Sequence, residues 1–229
     1  MKVTYISHSG FMIEFENKAL LFDYYEGEIP EIDSDKRLYV FVSHKHGDHY
    51  NRNVLELQKK RGNVVYIFSG DILSEKKARE NGIIRVLANN EFRIDDMTIC
   101  TLKSNDEGVS FIVNTNGKTV YHAGDLNWWH WEGEPDEDNL FMEHSYKQEI
   151  AKIKGKRFDA AFIVLDPRQE EQFCWGFDWF MRNTDTICAV PMHMWNKYSW
   201  IDRLKELPLT ENYRDRICAY NKKGEIIYL

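Results

Sequence analysis

The segment His44-Lys45-His46-Gly47-Asp48-His49 constrains this chain more than any other feature. It places three imidazoles and a carboxylate within six residues, directly after an apolar run at residues 38–42. If buried, each of these groups would need a hydrogen-bond partner, and together they are the nitrogen and oxygen donors that divalent metals bind in proteins. The segment therefore predicts a metal site at the end of a strand rather than a polar surface loop.

The hydrophobic pattern around this segment predicts a strand-rich first part and a second part in which helices alternate with strands. Predicted strands cover residues 3–6, 11–15, 19–22, 38–42, 64–68, 83–87, 97–102, 109–113, 119–121, 160–165, 186–191, 217–220 and 225–228. Predicted helices cover residues 53–61, 74–80, 140–153, 172–181 and 200–207. The acidic run at residues 132–138 contains glycine and proline and is interpreted as a surface loop.

Histidines and an aspartate spaced HxHxDH after a hydrophobic strand resemble the signature of the metallo-β-lactamase superfamily, and further landmarks follow in chain order. Asp23 matches the aspartate that braces the metal loop, Asp125 the bridging aspartate, and His193 the final histidine. The resemblance covers nearly the whole chain. It implies an α/β fold, a four-layer αββα sandwich in one domain spanning residues 1–229, with both metals at one edge of two packed sheets.

The resemblance also implies roles for these residues. The implied metal ligands are His44 and His46 at a first site, Asp48, His49 and His193 at a second, and Asp125 between them. Asp48 would also orient the attacking water, and Asp23 would support catalysis by steadying the loop without touching a metal. The implied cofactor is Zn²⁺ in one or both sites, with Mn²⁺ or Fe²⁺ as alternatives.

One ligand of the superfamily pattern is missing from this sequence. Members usually supply another histidine to the first metal from the loop after the predicted strand at residues 97–102, and this loop has none. Asp106 or Glu107 could replace it as an oxygen donor, which would favour manganese or iron, whereas Ser104 or Asn105 would leave the position to water. We predict Asp106, because its carboxylate is a competent donor within reach of the strand end.

Three further residues are candidates for substrate contact. His8 lies in a first-hairpin Ser-His element that resembles relatives of L-ascorbate 6-phosphate lactonase, where this histidine lies near the metals without binding them. His130 lies in an aromatic loop that could form a pocket wall. Arg168 follows a predicted strand and could bind a phosphate or carboxylate. The alternatives are a turn histidine, a member of an aromatic cluster, and a turn salt bridge with Asp166.

Composition restricts the function further. A chain of 229 residues with 43% hydrophobic residues can bury a core, and a formal net charge of -7 argues against a nucleic-acid partner. No apolar stretch reaches the length of a membrane span, and the N-terminus enters a strand pattern without signal-peptide features, so we expect a cytoplasmic protein. Four scattered cysteines predict free thiols in a reducing compartment.

These observations predict a metal-dependent hydrolase that uses a metal-activated water on an ester, lactone or phosphodiester of a small anionic molecule. The nearest resemblance is to the L-ascorbate 6-phosphate lactonase-like branch. The missing histidine supports an alternative, a degenerate member that holds one metal and acts as a binding or scaffold protein.

Overall fold

Two mixed β-sheets form the framework of the molecule, and the computed structural model describes all residues 1–229. The strands are β1 (Lys2–Ser7), β2 (Gly10–Glu14), β3 (Lys18–Phe22), β4 (Arg37–Val42), β5 (Val64–Ser69), β6 (Ile83–Val86), β7 (Glu91–Ile94), β8 (Met97–Lys103), β9 (Val109–Thr115), β10 (Lys118–His122), β11 (Arg157–Val164), β12 (Asp185–Met192) and β13 (Ile226–Tyr228). The first sheet has the order β13-β1-β2-β3-β4-β5-β6, and the second has the order β12-β11-β10-β9-β8-β7.

Five α-helices cover the outer faces of the sheets: α1 (Leu57–Lys60), α2 (Glu75–Glu80), α3 (Asp136–Ala151), α4 (Trp175–Asn183) and α5 (Ser199–Glu206). Short 3₁₀ helices span Arg52–Glu56, Pro167–Gln172, Pro208–Thr210 and Arg214–Arg216. Helix α4 packs on β11 and β12, and α3 packs on α4. None of these helices has both the length and the apolar character needed to cross a membrane.

The residues of β4 show why the layers form. Tyr39 and Phe41 belong to the large core between the sheets, while Leu38, Val40 and Val42 belong to a smaller core beneath the first helices. Because successive side chains of a strand point to opposite faces, both faces of this strand are buried. The resulting order of helices, sheet, sheet and helices confirms the predicted αββα sandwich.

Strand direction brings the functional loops to one edge. In the first sheet β1 and β3 flank the antiparallel β2, and β4 is parallel to β3. In the second sheet β8 and β10 flank the antiparallel β9, and β11 and β12 continue parallel to β10. Seven strands therefore run in the common direction, and their C-terminal ends lie at one edge of their sheets, where open α/β sheets commonly place binding sites. They are β1, β3, β4, β8, β10, β11 and β12.

The structure differs from the predicted elements at three places. Helix α3 begins at Asp136, inside the acidic run predicted as a loop, because Pro135 precedes it and three acidic residues in its first turn favour a helix N-terminus. Residues 217–220 form only one bridge, between Ile217 and Ala189, since their apolar side chains anchor the segment to the core. Strand β7 was not predicted, because its residues are only partly buried or exposed and give a weak apolar signal.

The cysteines also differ from the prediction. Cys188 on β12 forms a disulfide with Cys218, and their Cα atoms are 6.3 Å apart, within the usual range for a disulfide. Only Cys100 and Cys174 are free, so the prediction of four free thiols is wrong. The pair was hidden in the sequence because the two cysteines are 30 residues apart, and only the folded chain brings the Cys218 amide to the Ala189 carbonyl beside Cys188.

Candidate metal centre

Side chains from seven strand ends meet at the common edge of the two sheets. They are His8 after β1, Asp23 after β3, the loop His44 to His49 after β4, Asp106 after β8, Asp125 after β10, Asp166 after β11 and His193 after β12. His8, Asp23 and His193 have positive φ angles of 54°, 42° and 67°. Such backbone strain in residues other than glycine is concentrated at functional sites in proteins.

Eight of these side chains form two compact groups, and the donor atoms of each group lie within 4.8 Å of one another. The first group consists of His44, His46, Asp106 and Asp125, and the second consists of His8, Asp48, His49 and His193. Asp125 lies between them: its Oδ2 is 3.4 Å from His44 Nε2, and its Oδ1 is 3.0 Å from His49 Nε2. One carboxylate therefore faces both groups with different oxygens.

Five buried polar atoms at this place have no hydrogen-bond partner, namely Nε2 of His8, His44, His49 and His193 and Oδ1 of Asp125. Leaving a buried polar atom unpaired costs about 1–3 kcal/mol, so a concentration of such atoms in a native site needs an explanation. His49 Nε2 and Asp125 Oδ1 approach closely and still do not meet in hydrogen-bond geometry. Imidazole and carboxylate donors that converge in this way fit divalent transition metals.

Asp23 fixes the ring orientation of two of these histidines. Its Oδ2 accepts a hydrogen bond from His49 Nδ1 at 2.7 Å and another from Ser43 Oγ at 2.6 Å. Because the Ser43 hydroxyl donates to this carboxylate, it accepts from His44 Nδ1, which lies 2.9 Å away. Both imidazoles therefore carry a proton on Nδ1 and direct Nε2 toward the two groups, where it is available to a metal.

Asp166 fixes His193 in the same way. Asp166 Oδ2 lies 3.0 Å from His193 Nδ1, and the carboxylate also accepts Nε of Arg168 at 2.9 and 3.0 Å. Burial lowers the pKa of His193, but the carboxylates of Asp125 and Asp166 outweigh it and raise this pKa to about 9. From the sequence, Asp166 was considered only as a turn partner of Arg168. Its contact with His193 follows from the parallel pairing of β11 with β12, which brings the two strand ends together.

His8 belongs to the second group, although the sequence suggested only a substrate contact. Its Nε2 lies 3.4 Å from Asp48 Oδ2, and its ring centroid lies 4.0 Å from that of His193. Burial and the neighbouring His193 lower the pKa of His8 to about 4, so the ring is neutral at pH 7 and offers a lone pair. The parallel course of β1 and β3 brings it beside the metal loop.

Of the two carboxylates considered for the missing ligand, Asp106 lies in the first group and Glu107 does not. Its Oδ2 is 3.4 Å from His46 Nδ1, and burial, followed by the nearby Asp125, raises the pKa of Asp106. Glu107 instead pairs with Lys45 at the surface, Asn105 donates its amide to backbone carbonyls elsewhere, and the Ser104 hydroxyl accepts from the Asp106 amide.

Two glycines let the neighbouring loops approach the start of the metal loop, which spans His44 to His49. Gly108 has φ of +69°, and a Cβ there would clash with the Ser43 carbonyl and His44 Cβ. Gly124 has φ of +54°, and a Cβ there would approach Ser43 Cβ to 2.7 Å. These positions require glycine, and the close approach carries Asp106 and Asp125 to the histidines.

His122, close to the same loop, is excluded as a ligand because both of its nitrogens are used. Its Nδ1 accepts from the Gly124 amide at 3.2 Å, so its Nε2 carries the proton and donates to the Ser9 carbonyl at 2.9 Å. Burial lowers the pKa of His122, which favours this neutral form.

A cavity of about 210 Å³ opens over both groups. It is lined by His46, Asp48, Asp106, Asp125, Trp129, Trp131, Met142, Arg168 and His193. Trp129 and Trp131 stack with centroids 5.6 Å apart and form one wall. The Arg168 guanidinium lies 5.5 Å from the Trp131 ring and forms part of the rim.

His130 is not brought to this cavity. Its ring packs against Trp175, with centroids 5.0 Å apart, while its neighbours Trp129 and Trp131 line the cavity. The proposed wall is therefore present, but it is built from the tryptophans on either side of His130. The substrate contact by His130 stays a prediction, and this geometry favours its alternative, a member of an aromatic cluster.

Comparison with known proteins places these motifs in a family. Residues 2–132 match the family model described as Beta-lactamase superfamily domain. The chain is 30% identical over 135 residues to a UPF0173 metal-dependent hydrolase of Korarchaeum cryptofilum. The alignment covers 55% of this chain and 60% of that protein. A UPF0173 metal-dependent hydrolase of Methanosarcina barkeri is 26% identical over 227 residues, covering 91% of this chain and 87% of that protein.

Solved structures show the same fold. Igni18, described as a metallo hydrolase of Ignicoccus hospitalis, superposes with a TM-score of 0.63 at 18% identity, covering 99% of this chain and 97% of that chain. The metallo-β-lactamase fold protein YhfI of Bacillus subtilis gives a TM-score of 0.66 at 13% identity, covering 99% of each chain. At these identities the similarity establishes the fold, and the predicted metallo-β-lactamase fold is confirmed.

Proposed function

This chain belongs to the metallo-β-lactamase superfamily, and from that premise we propose that it is a metal-dependent hydrolase of an ester, lactone or phosphodiester bond in a small molecule. The convergence of unpaired imidazole nitrogens with Asp125 carries the proposal. The names of the UPF0173 relatives support it. The chain spans 60% of the length of the first of these relatives. Hydrolytic activity is therefore proposed for this chain and is not taken over from the relative.

We assign the first group to one metal ion and the second group to another, with Asp125 shared. Bound divalent ions would supply Lewis acidity to the scissile bond and acidity to a water molecule. The second group, with three imidazoles and one carboxylate, suits Zn²⁺. The first group has two carboxylates, and this harder set should tolerate Mn²⁺ or Fe²⁺.

Asp48 is the residue that we propose to receive the proton of the attacking water. Its side chain faces the cavity and is 28% exposed. Burial raises the pKa of Asp48, but His8 and His49 outweigh it and hold this pKa well below its usual range, so the carboxylate is ionised at pH 7. Asp23 and Asp166 act through the histidines that they orient, and neither needs to touch the substrate.

The reacting group of the substrate is proposed to be anionic, or to become so during hydrolysis. Arg168 supports this reading, because its side chain is half exposed at the cavity rim while Asp166 holds one edge of its guanidinium. A place in the L-ascorbate 6-phosphate lactonase-like branch is the finer proposal. It predicts activity on a phosphorylated lactone in preference to the unphosphorylated lactone.

Two complete groups beneath an open cavity support a hydrolase over the single-metal scaffold predicted as the alternative. Residues from both sheets build the site, which supports treating residues 1–229 as one domain. A cytoplasmic location is also a proposal from the sequence. The disulfide between Cys188 and Cys218 argues for a less reducing environment, because such bonds are rare in reducing compartments.

The test is hydrolysis of carboxylic esters, lactones, phosphorylated lactones and phosphodiesters by protein loaded with Zn²⁺, Mn²⁺ or Fe²⁺. At least one class should be turned over, and Asp48→Asn should lose most of that activity even at metal concentrations high enough to compensate for the lost ligand. Asp159→Asn on β11, which pairs with Lys118 far from the site, is the control and should keep full activity. One inert metal per chain with no turnover of any class would favour the scaffold reading.

A further inference from the structure

We call the cavity over the two metal groups the catalytic cavity. A second cavity, of about 250 Å³, lies beside it and shares two lining residues with it. Trp131 and Met142 line both, and Glu134, Asp138, Asn139 and Phe141 complete the second cavity. The two spaces are therefore neighbours across one indole and one thioether. We call the second space the side cavity.

Phe141 gives the side cavity an apolar surface. Its side chain is 64% exposed on α3, although a phenyl ring of this size is normally buried. Met142 lies next to it and is partly buried against the main core. An exposed apolar surface beside a catalytic cavity is characteristic of a ligand-binding groove.

The wall between the two cavities is held in place by helix α3. The side chain of Asn139 accepts a hydrogen bond from the Trp131 amide at 2.9 Å and donates to the Trp131 carbonyl at 3.0 Å. Asn139 is buried, and the Trp131 ring stacks on Trp129. The surface at Trp131 is therefore pre-organised, which lowers the entropic cost of binding.

The charges at the side cavity have one sign. Glu134 and Asp138 are exposed at its rim, and no cation is among its lining residues. Arg168, the cation of the neighbouring cavity, lies on the catalytic side of Trp131 and does not line the side cavity. A neutral or positively charged group is compatible with this rim, whereas a second anionic group is disfavoured.

We propose that the side cavity is a specificity subsite, which binds an apolar, preferably aromatic, part of the substrate whose reacting group lies over the two metal groups. This inference rests on the proposed function. The substrate is then asymmetric, with an anionic or polar reacting end and an apolar far end that carries no negative charge.

The experiment measures equilibrium binding of two carboxylates to the metal-loaded protein, so that it does not depend on turnover. The probes are 4-phenylbutyrate, which ends in a phenyl ring, and adipate, which ends in a second carboxylate. Burial of the ring predicts roughly tenfold tighter binding of 4-phenylbutyrate. Phe141→Ala should remove most of this preference, whereas the matched control Leu140→Ala, also on the exposed surface of α3 and outside both cavities, should keep it.

A charge variant provides an independent arm. Replacing Glu134 by Gln and Asp138 by Asn should improve adipate binding several-fold and leave 4-phenylbutyrate binding nearly unchanged. Equal binding of the two probes, absence of binding of both, or a preference that survives Phe141→Ala would overturn the subsite. If gel filtration shows a dimer that Phe141→Ala abolishes, the exposed ring belongs to an interface with a second copy, and the proposal also fails.

The two proposals fail in different ways. A preserved, Phe141-dependent preference without hydrolysis of any substrate class would contradict the hydrolase and support the subsite as a binding site. Hydrolysis without the preference would contradict only the subsite.

Discussion

Asp166 Oδ2 accepts a hydrogen bond from His193 Nδ1 at 3.0 Å, and the two residues stand at the ends of the adjacent parallel strands β11 and β12. Since the bond keeps a proton on Nδ1, the Nε2 atom of His193 faces the second group and becomes a metal donor once it loses its own proton. The same carboxylate holds Arg168 at the cavity rim. One side chain thus links a histidine proposed to bind metal to the residue proposed to meet the substrate.

Asp166→Asn should weaken binding of one metal ion by about 10- to 100-fold, because the neutral amide orients His193 less well. The first group should keep its affinity, since His44 is oriented by Asp23 through Ser43. Equilibrium dialysis at limiting Zn²⁺, with the bound metal counted by mass spectrometry, measures this change. Asp159→Asn, on the strand that precedes Asp166, is the matched control, and an equal loss in both variants would contradict the assignment.

Asp106→Ala should remove most of the metal from the first group, while Glu107→Ala should leave metal content unchanged. The reason is that Asp106 lies in the first group, whereas Glu107 pairs with Lys45 at 2.8 Å at the surface. Metal content per chain and hydrolytic rate are measured for both variants. If Asp106→Ala keeps two metals and full activity, this residue does not replace the missing histidine.

Metal binding should release protons at neutral pH. The pKa of His193 is raised to about 9 by the neighbouring carboxylates, so the metal-free ring is protonated at pH 7. A metal needs the same nitrogen, and apparent affinity should therefore rise as the pH increases from about 6.5 to 9. Calorimetry in two buffers of different ionisation enthalpy counts the protons, and binding without proton release at pH 7 would contradict the prediction.

The same shift predicts the stability of the metal-free protein. A raised pKa in the folded state stabilises the protein fully below the unfolded value of about 6.5, and this contribution is lost as the pH rises through the folded value. Thermal unfolding of the metal-free protein should therefore occur at lower temperature at pH 9 than at pH 6.5. The added stability on metal loading should be larger at the higher pH.

The disulfide predicts two reactive thiols in the unfolded, unreduced chain, those of Cys100 and Cys174, and four after reduction. Closing a loop across a separation of 30 residues stabilises the native state by about 3–4 kcal/mol in the chain-entropy model. Reduction should therefore lower the melting temperature. Four reactive thiols without reduction would restore the sequence-based expectation of free cysteines and a reducing compartment.

Short apolar runs separated by turn signals predicted the strands, as in β1 to β5, and the resemblance to the metallo-β-lactamase superfamily implied that they form a sandwich. It predicted the metal loop because His44 to His49 are adjacent in the chain. It could not predict that His8 joins the second group, since this depends on β1 lying parallel to β3 in the folded sheet. The partnership of Asp166 with His193 likewise depends on the register of β11 with β12.

The aromatic wall shows the same division between sequence and structure. The sequence placed an aromatic loop at the site, and the structure places Trp129 and Trp131 at the cavity with His130 turned away. Which side chains of residues 129–131 face the cavity depends on two hydrogen bonds. The Trp131 amide donates to the Asn139 side chain, and the Trp129 indole donates to the Asp125 carbonyl. The local sequence pattern therefore predicted where the wall lies, and tertiary hydrogen bonds determine which residues form it.

Titration of the metal-free protein with Zn²⁺ or Mn²⁺, with bound metal and hydrolytic rate followed together, tests whether the two groups act as one centre. We expect saturation at two metal ions per chain, with full activity reached only as the second ion binds, because Asp125 joins both groups. Saturation at one ion per chain, or two bound ions without hydrolysis of any ester, lactone or phosphodiester, would contradict it.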